Sequence, residues 1–146
     1  MTFRVSCTML LCVALTIGCS AQASFSHAIM QASCAPWDGP AIAIRLTSEP
    51  AQCKNVSGSY IDMGVWRGLP IHAGQVVSLS SSAGNEGFAS KCSKVGDCER
   101  AQSGTITFDT YQESSGASGR YELHFKSGDE LGKFDAKWCE NHIMCR

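Results

Sequence analysis

Along most of the chain, apolar and polar residues alternate with a period of two. This is the pattern of a strand with one face on a core. Ile42, Ile44 and Leu46 alternate with Ala43 and Arg45. Ile61, Met63 and Val65 alternate with Asp62, Gly64 and Trp66, and Arg67 follows. A glycine inside such a run, here Gly64, points to a bulge or to close packing. A third strand covers Gln75 to Ser80, with Val77 and Leu79 on one face.

The last third of the chain repeats the pattern three times. Ile106 and Phe108 alternate with Thr105, Thr107 and Asp109. Tyr121, Leu123 and Phe125 alternate with Arg120, Glu122, His124 and Lys126. Phe134, Ala136 and Trp138 alternate with Lys133, Asp135 and Lys137. Ser114-Ser115-Gly116 and Ser127-Gly128-Asp129 are turn-formers between these runs. The prediction is an antiparallel meander with an aromatic-rich inner face and a charged outer face.

The intervening stretches read as loops. Cys34-Ala35-Pro36-Trp37-Asp38-Gly39-Pro40 is a stiff loop entering the first strand, Ser80 to Gly87 is Ser/Gly-rich, and Lys91 to Arg100 is a charged loop between two cysteines. No sustained helical stripe appears, and only Ala28 to Ala32 is compatible with a short helix. No repeat or linker divides the chain. The expected fold is all-β: a small antiparallel β-sandwich or partly open β-barrel of six to eight strands, stabilised by disulfides, in one domain over 24–146.

Residues 1–23 stand apart. Arg4 precedes an uncharged, mostly apolar run from Val5 to Ile17, shorter than the ~20 residues that span a bilayer. This reads as an export signal. Two processing sites compete. Ala21-Gln22-Ala23 would leave Ser24 as the new N-terminus. Leu15-Thr16-Ile17-Gly18-Cys19 resembles a lipobox, which would confine the signal to 1–18 and lipidate Cys19. Either way the expected destination is the far side of the inner membrane: periplasm or cell envelope, soluble or lipid-anchored.

The charge balance removes one class of partner. Lys and Arg number 12 against 13 Asp and Glu, a net charge of −1 in 146 residues. Phosphate-backbone binding needs a basic excess, so nucleic acid is not expected. The sequon Asn55-Val56-Ser57 matters only in a eukaryotic host.

Cysteine is abundant, with 9 in the chain. Six lie beyond the leader: Cys34, Cys53, Cys92, Cys98, Cys139 and Cys145. An even set behind an export signal argues for three disulfides. Cys92/Cys98 and Cys139/Cys145 share one spacing, which favours bridges within these pairs and leaves Cys34–Cys53 as the third. A competing reading takes Cys139, His142 and Cys145 as C-x2-H-x2-C, a partial ligand set for Zn(II) or Cu(I). It lacks a fourth ligand, so no metal or other cofactor is expected.

The runs Ser103-Gly104-Thr105-Ile106-Thr107-Phe108-Asp109, Ser118-Gly119-Arg120-Tyr121-Glu122-Leu123 and Gly132-Lys133-Phe134-Asp135-Ala136-Lys137-Trp138-Cys139, with the Cys-Ala-Pro-Trp-Asp-Gly-Pro loop, carry a resemblance. The chain resembles small uncharacterised exported proteins of Gram-negative bacteria, with a Gly-led C-terminal meander ending in Trp-Cys. The resemblance implies fold and export. It carries no catalytic residue across.

No nucleophile elbow, P-loop, zincin or dinucleotide motif is present. Ser118 reads as a turn serine. His27, His72, His124 and His142 are scattered, and His124 belongs on the polar face of its strand. Asp109, Glu122 and Asp135 share the outer face with Arg120, Lys126, Lys133 and Lys137. Cross-strand ion pairing accounts for them more simply than acid–base catalysis. Trp37 with Asp38, and Trp66 with Arg67, are the candidate contacts for a partner, because Trp and Arg dominate interface hot spots. The competing role for Trp37 is a plug over the sheet edge, and Trp66 packs on a second layer or lies exposed. Trp138 continues the core face.

These readings favour a non-enzymatic exported binding module of the envelope, such as an inhibitor or immunity protein acting on another protein. The alternative is a periplasmic carrier of a metal or small ligand, and a weaker one is a hydrolase using the carboxylate face.

Overall fold

The computed structural model describes residues 25–50, 53, 57–66, 69–81, 86–94, 96–141 and 143–145. The segment read as an export signal, with Cys19, and Arg67 and His142 lie outside the described residues. Nine strands run in the order β1 (His27–Cys34), β2 (Pro40–Thr47), β3 (Tyr60–Val65), β4 (Val76–Ser80), β5 (Gly87–Lys94), β6 (Asp97–Arg100), β7 (Ser103–Gln112), β8 (Gly116–Phe125) and β9 (Gly128–Cys139). No helix occurs among the described residues. The stretch 28–32 lies inside β1, which pairs with β2 over its whole length from His27↔Thr47 to Cys34↔Pro40. That tertiary pairing overrides a weak local helix preference.

The sheet order is β3-β2-β1-β9-β8-β7-β4-β5-β6, and β3 also pairs with β5. Eight strands therefore close into a barrel, and β6 is an extra strand hung on β5. The closed barrel, not the sandwich, is the observed form of the all-β expectation. Most pairs are antiparallel. The exceptions are β1 with β9, through four register pairs, and β4 with β5, through Leu79↔Gly87 alone. The 91–100 stretch, expected as a loop, is the β5–β6 hairpin with Cys92 opposite Cys98.

Alternation decides what fills the barrel. Met30, Ile44, Ile61, Met63, Val77, Leu79, Ile106, Phe108 and Leu123 point inward and are fully buried. Each such side chain gives roughly 1.5–3 kcal/mol of burial. Phe108 meets Phe134 edge to face at 6.0 Å, and Trp138 packs against this core as expected. One end is stopped by Phe25, which belongs to the core cluster. The β7–β8–β9 meander matches the sequence reading, with Ser103↔His124 and Phe125↔Gly128 near its ends.

The disulfides depart from expectation. Cys92–Cys98 forms as read, but Cys34 bonds Cys145 and Cys53 bonds Cys139. The reason is the parallel β1–β9 pairing, which sets Gln31 beside Cys139 and leaves Cys34 further along the same end of the barrel. The chain after β9 returns to β1, where Asn141 Nδ2 donates to the Ala32 carbonyl at 2.9 Å. Cys145 then reaches Cys34, and Cys139 stays available to Cys53.

Candidate binding surface on the outer wall

The outward positions of β2, β3, β5 and β6 form rows across the barrel wall. Ala43, Gly64 and Phe88 make one row, Arg45, Asp62, Ser90 and Arg100 the next, and Thr47, Tyr60, Cys92 and Cys98 the third. Their large side chains are Phe88, Tyr60, Arg45 and Arg100.

The loop between β1 and β2 sits at the top of this wall. Asp38 N–H donates to the Ala35 carbonyl at 3.0 Å, and Ala35 N–H to the Gly39 carbonyl at 2.8 Å. Asp38 adopts φ 62°, a left-handed conformation that aspartate tolerates better than most residues. Pro36, Pro40 and the Cys34–Cys145 bridge stiffen the same loop. The turn holds Trp37 outward, 53% exposed.

Trp37 packs edge to face on Trp66, with ring centroids 6.0 Å apart and planes at 77°. Trp66 is buried with Ala35 and Ala41, and stacks on Phe88 at 5.4 Å. Phe88 lies across Gly64, where an added Cβ would stand 2.2 Å from the ring. The close packing suggested by Gly64 is therefore real, and its cause is an aromatic ring on the neighbouring strand. Arg100 caps the stack, 5.7 Å from the Phe88 centroid. No ion pair engages Arg100 among the described residues.

The next row is locked by charge. Arg45 Nη2 donates to Asp62 Oδ2 at 2.8 Å while Nε donates to Oδ1, a fork that fixes both groups. That bond to Asp62 raises the Arg45 pKa above its ordinary value, against the opposing effect of burial. The guanidinium also lies over the Tyr60 ring at 5.0 Å. The wall is thus preorganised, which reduces the ordering cost of binding.

Of the sequence candidates, the structure brings Trp37 and Trp66 together and leaves Asp38 exposed at the loop tip. Trp66 faces outward as the inner half of a stack, and Trp37 is a ledge on that stack, not a core plug. Phe88, Arg100, Arg45 and Tyr60 were not anticipated. They lie on different strands, and no local sequence feature joins them. Gly64 was the one hint.

The other candidate chemistry is dispersed. Asp109 pairs with Arg120 at 3.2 Å, and Glu122 and Asp129 flank His124 at 3.5 and 2.9 Å. The Asp109–Arg120 and His124–Asp129 pairs run between strands and the Glu122–His124 pair lies within β8, all on the meander's outer face. Cys139 and Cys145 are consumed in separate disulfides, so the C-x2-H-x2-C reading loses both thiolates. Compared with protein-family models, with curated proteins and with solved structures, the chain shows no match.

Proposed function

We propose that the chain is an exported binding module of the cell envelope without catalytic machinery, and that its Trp37–Trp66–Phe88–Arg100 wall docks on another protein. An inhibitor or immunity protein that blocks a hydrolase or toxin is the specific form of this reading. The observation that carries it is Trp37: a large indole held in solvent by a stiff turn and backed by a second tryptophan. The fold leaves about half of this indole in solvent, and a preorganised aromatic anchor of that kind suits a hot spot. Three disulfides fit the oxidising compartment that export implies. The filled barrel axis favours this reading over a carrier that holds its ligand inside.

The test is capture of envelope proteins on the immobilised mature chain with cross-linking, then titration of the purified partner. Trp37→Ala and Phe88→Ala should each weaken binding by at least about 30-fold, as hot-spot truncations do. An Arg120→Ala control on the outer face of β8, four strands around the barrel from β3, should leave binding unchanged. Equal affinity for all three variants would remove the wall from the function. A hydrolytic turnover abolished by one side-chain change would remove the non-enzymatic reading.

A further inference from the structure

A second surface lies on the other side of the barrel, where β9 is longer than its partner β1. Trp138 N–H donates to the Ser115 carbonyl on the β8 side. Backbone groups alternate along a strand, so the even-numbered residues of β9 face β8 and the odd-numbered ones face the β1 side. β1 covers only Ala136 to Cys139. Leu131, Lys133 and Asp135 therefore present N–H and C=O groups to a side where no described strand lies. β1 does not continue along this edge: Ser26 N–H donates to the Thr47 carbonyl at 3.1 Å, and Phe25 turns into the core.

The open edge adjoins a slot of about 410 Å³. Phe25, Leu46 and Phe134 form its apolar floor, and His27, Lys133 and Asp135 stand at its rim. One position along the inner side, Tyr121 lies across Gly132, where an added Cβ would stand 2.6 Å from the phenol oxygen. Tyr121 is 3% exposed, and its hydroxyl has no hydrogen-bond partner among the described residues. Among the described residues, a backbone edge without a strand partner, an apolar slot and a buried hydroxyl without a partner thus occur along one stretch of β9.

We propose that this edge receives an extended segment of a partner protein as an added antiparallel strand. The side chains of β9 define its chemistry, because directly opposed residues share a face. A basic residue fits opposite Asp135, an apolar one opposite Phe134 in the slot, and an acidic one opposite Lys133. A residue with a hydroxyl fits opposite Gly132, within reach of Tyr121, and an apolar residue fits opposite Leu131, which is 55% exposed. A second copy of this chain is a poor occupant. Centred on Gly132, two copies set Asp129 against Asp135 twice. Shifted to pair Lys133 with Asp135, each β9 runs into the start of the other copy's β1. The occupant is therefore a tail or loop that ends or turns where β1 begins.

The probe is the synthetic peptide Ser-Lys-Val-Glu-Thr-Val-Ser, titrated into the isotope-labelled mature protein and followed by amide NMR. The expected result is binding with shifts centred on Leu131, Lys133 and Asp135. The charge-swapped peptide Ser-Glu-Val-Lys-Thr-Val-Ser should bind at least about tenfold more weakly. Lys133→Pro removes an N–H that faces the open side, leaves the β8 ladder intact, and should abolish binding. Asp135→Lys keeps the backbone whole and should prefer the peptide with Glu in place of its Lys. Trp37→Ala should leave peptide binding unchanged, which separates this surface from the outer wall. The proposal is overturned by shifts that map elsewhere, by no binding at millimolar peptide, by an unaltered preference in Asp135→Lys, or by Lys133 and Asp135 amides that already resist exchange in the free protein.

Discussion

Cys34 and Cys145, 111 residues apart in sequence, are bonded with their Cα atoms 5.5 Å apart at the seam where β1 meets β9. Cys53–Cys139 ties the end of β9 to the connection between β2 and β3, and its residues are 86 apart. The seam has only four parallel register pairs, fewer than the eight of β1 with β2. Covalent closure therefore reinforces one of the barrel's thinner ladders, although β4 with β5 is thinner still, with one register pair. Non-reducing peptide mapping should recover Cys34–Cys145, Cys53–Cys139 and Cys92–Cys98. Replacing Cys34 and Cys145 by Ala should cost about 5 kcal/mol in denaturant unfolding, and replacing Cys92 and Cys98 about 2, because the longer loop constrains the unfolded chain more. Equal losses would show that chain entropy is not what these bridges supply.

Trp37 separates stability from recognition. It is exposed, so Trp37→Ala should change unfolding free energy by less than about 1 kcal/mol. Gly64→Val should do the opposite. Its side chain collides with the Phe88 ring and should destabilise the barrel by about 1–3 kcal/mol while displacing the Trp66 stack. Thermal melts and the near-ultraviolet circular dichroism of the coupled tryptophans read both effects. A large stability loss in Trp37→Ala would return this residue to a structural role.

Tyr121 predicts an alkaline transition. Burial, aided by the Glu130 charge, pushes its phenol up to about 12. The unfolded phenol ionises near 10. Between these values the unfolded chain has released a proton that the folded chain retains, so stability falls as pH rises from about 10 to about 12. Tyr121→Phe should remove this component. It should also stabilise the protein near neutrality by about 1 kcal/mol, since the deleted hydroxyl is buried with no partner among the described residues. A destabilised Tyr121→Phe would reveal a bond made by that hydroxyl.

His124 should titrate above an ordinary imidazole. Its hydrogen bond to Asp129 is the largest cause, opposed by desolvation and aided by the charges of Asp129 and Glu122. A raised folded pKa stabilises the fold below the unfolded value, near 6.5, and the contribution disappears as pH rises through the folded value. NMR titration should place His124 above an ordinary imidazole, and Asp129→Asn should lower it. An unchanged midpoint in Asp129→Asn would assign the shift elsewhere.

The strands were legible because their alternation is strong. Ile42 to Leu46, Ile61 to Val65 and the three meander runs needed only period-two reading, and each faces the core as that period requires. The 28–32 stretch was not legible, because Ala28, Met30 and Ala32 suit a helix or a strand equally. Its pairing with β2 decides. The Lys91 to Arg100 hairpin was hidden by its charges. Glu99 and Arg100 lie on β6, outside the closed barrel, and Lys91 at the barrel end pairs with Glu130, so no alternating apolar face marks the stretch.

The candidate surface divides in the same way. Composition pointed to Trp37, Asp38 and Trp66 as residues able to anchor a partner, and spacing alone found Cys92–Cys98, because six residues of sequence separation close a hairpin locally. Everything that depends on register was decided by the closed barrel. Register places Phe88 on Gly64 and Arg100 on Phe88, sends Cys34 to Cys145 instead of Cys53, and leaves β9 longer than β1. Alternation records which face of a strand is buried, since that is a local property of the chain. It does not record which strand lies beside it, because neighbours are selected by the packing of residues remote in sequence.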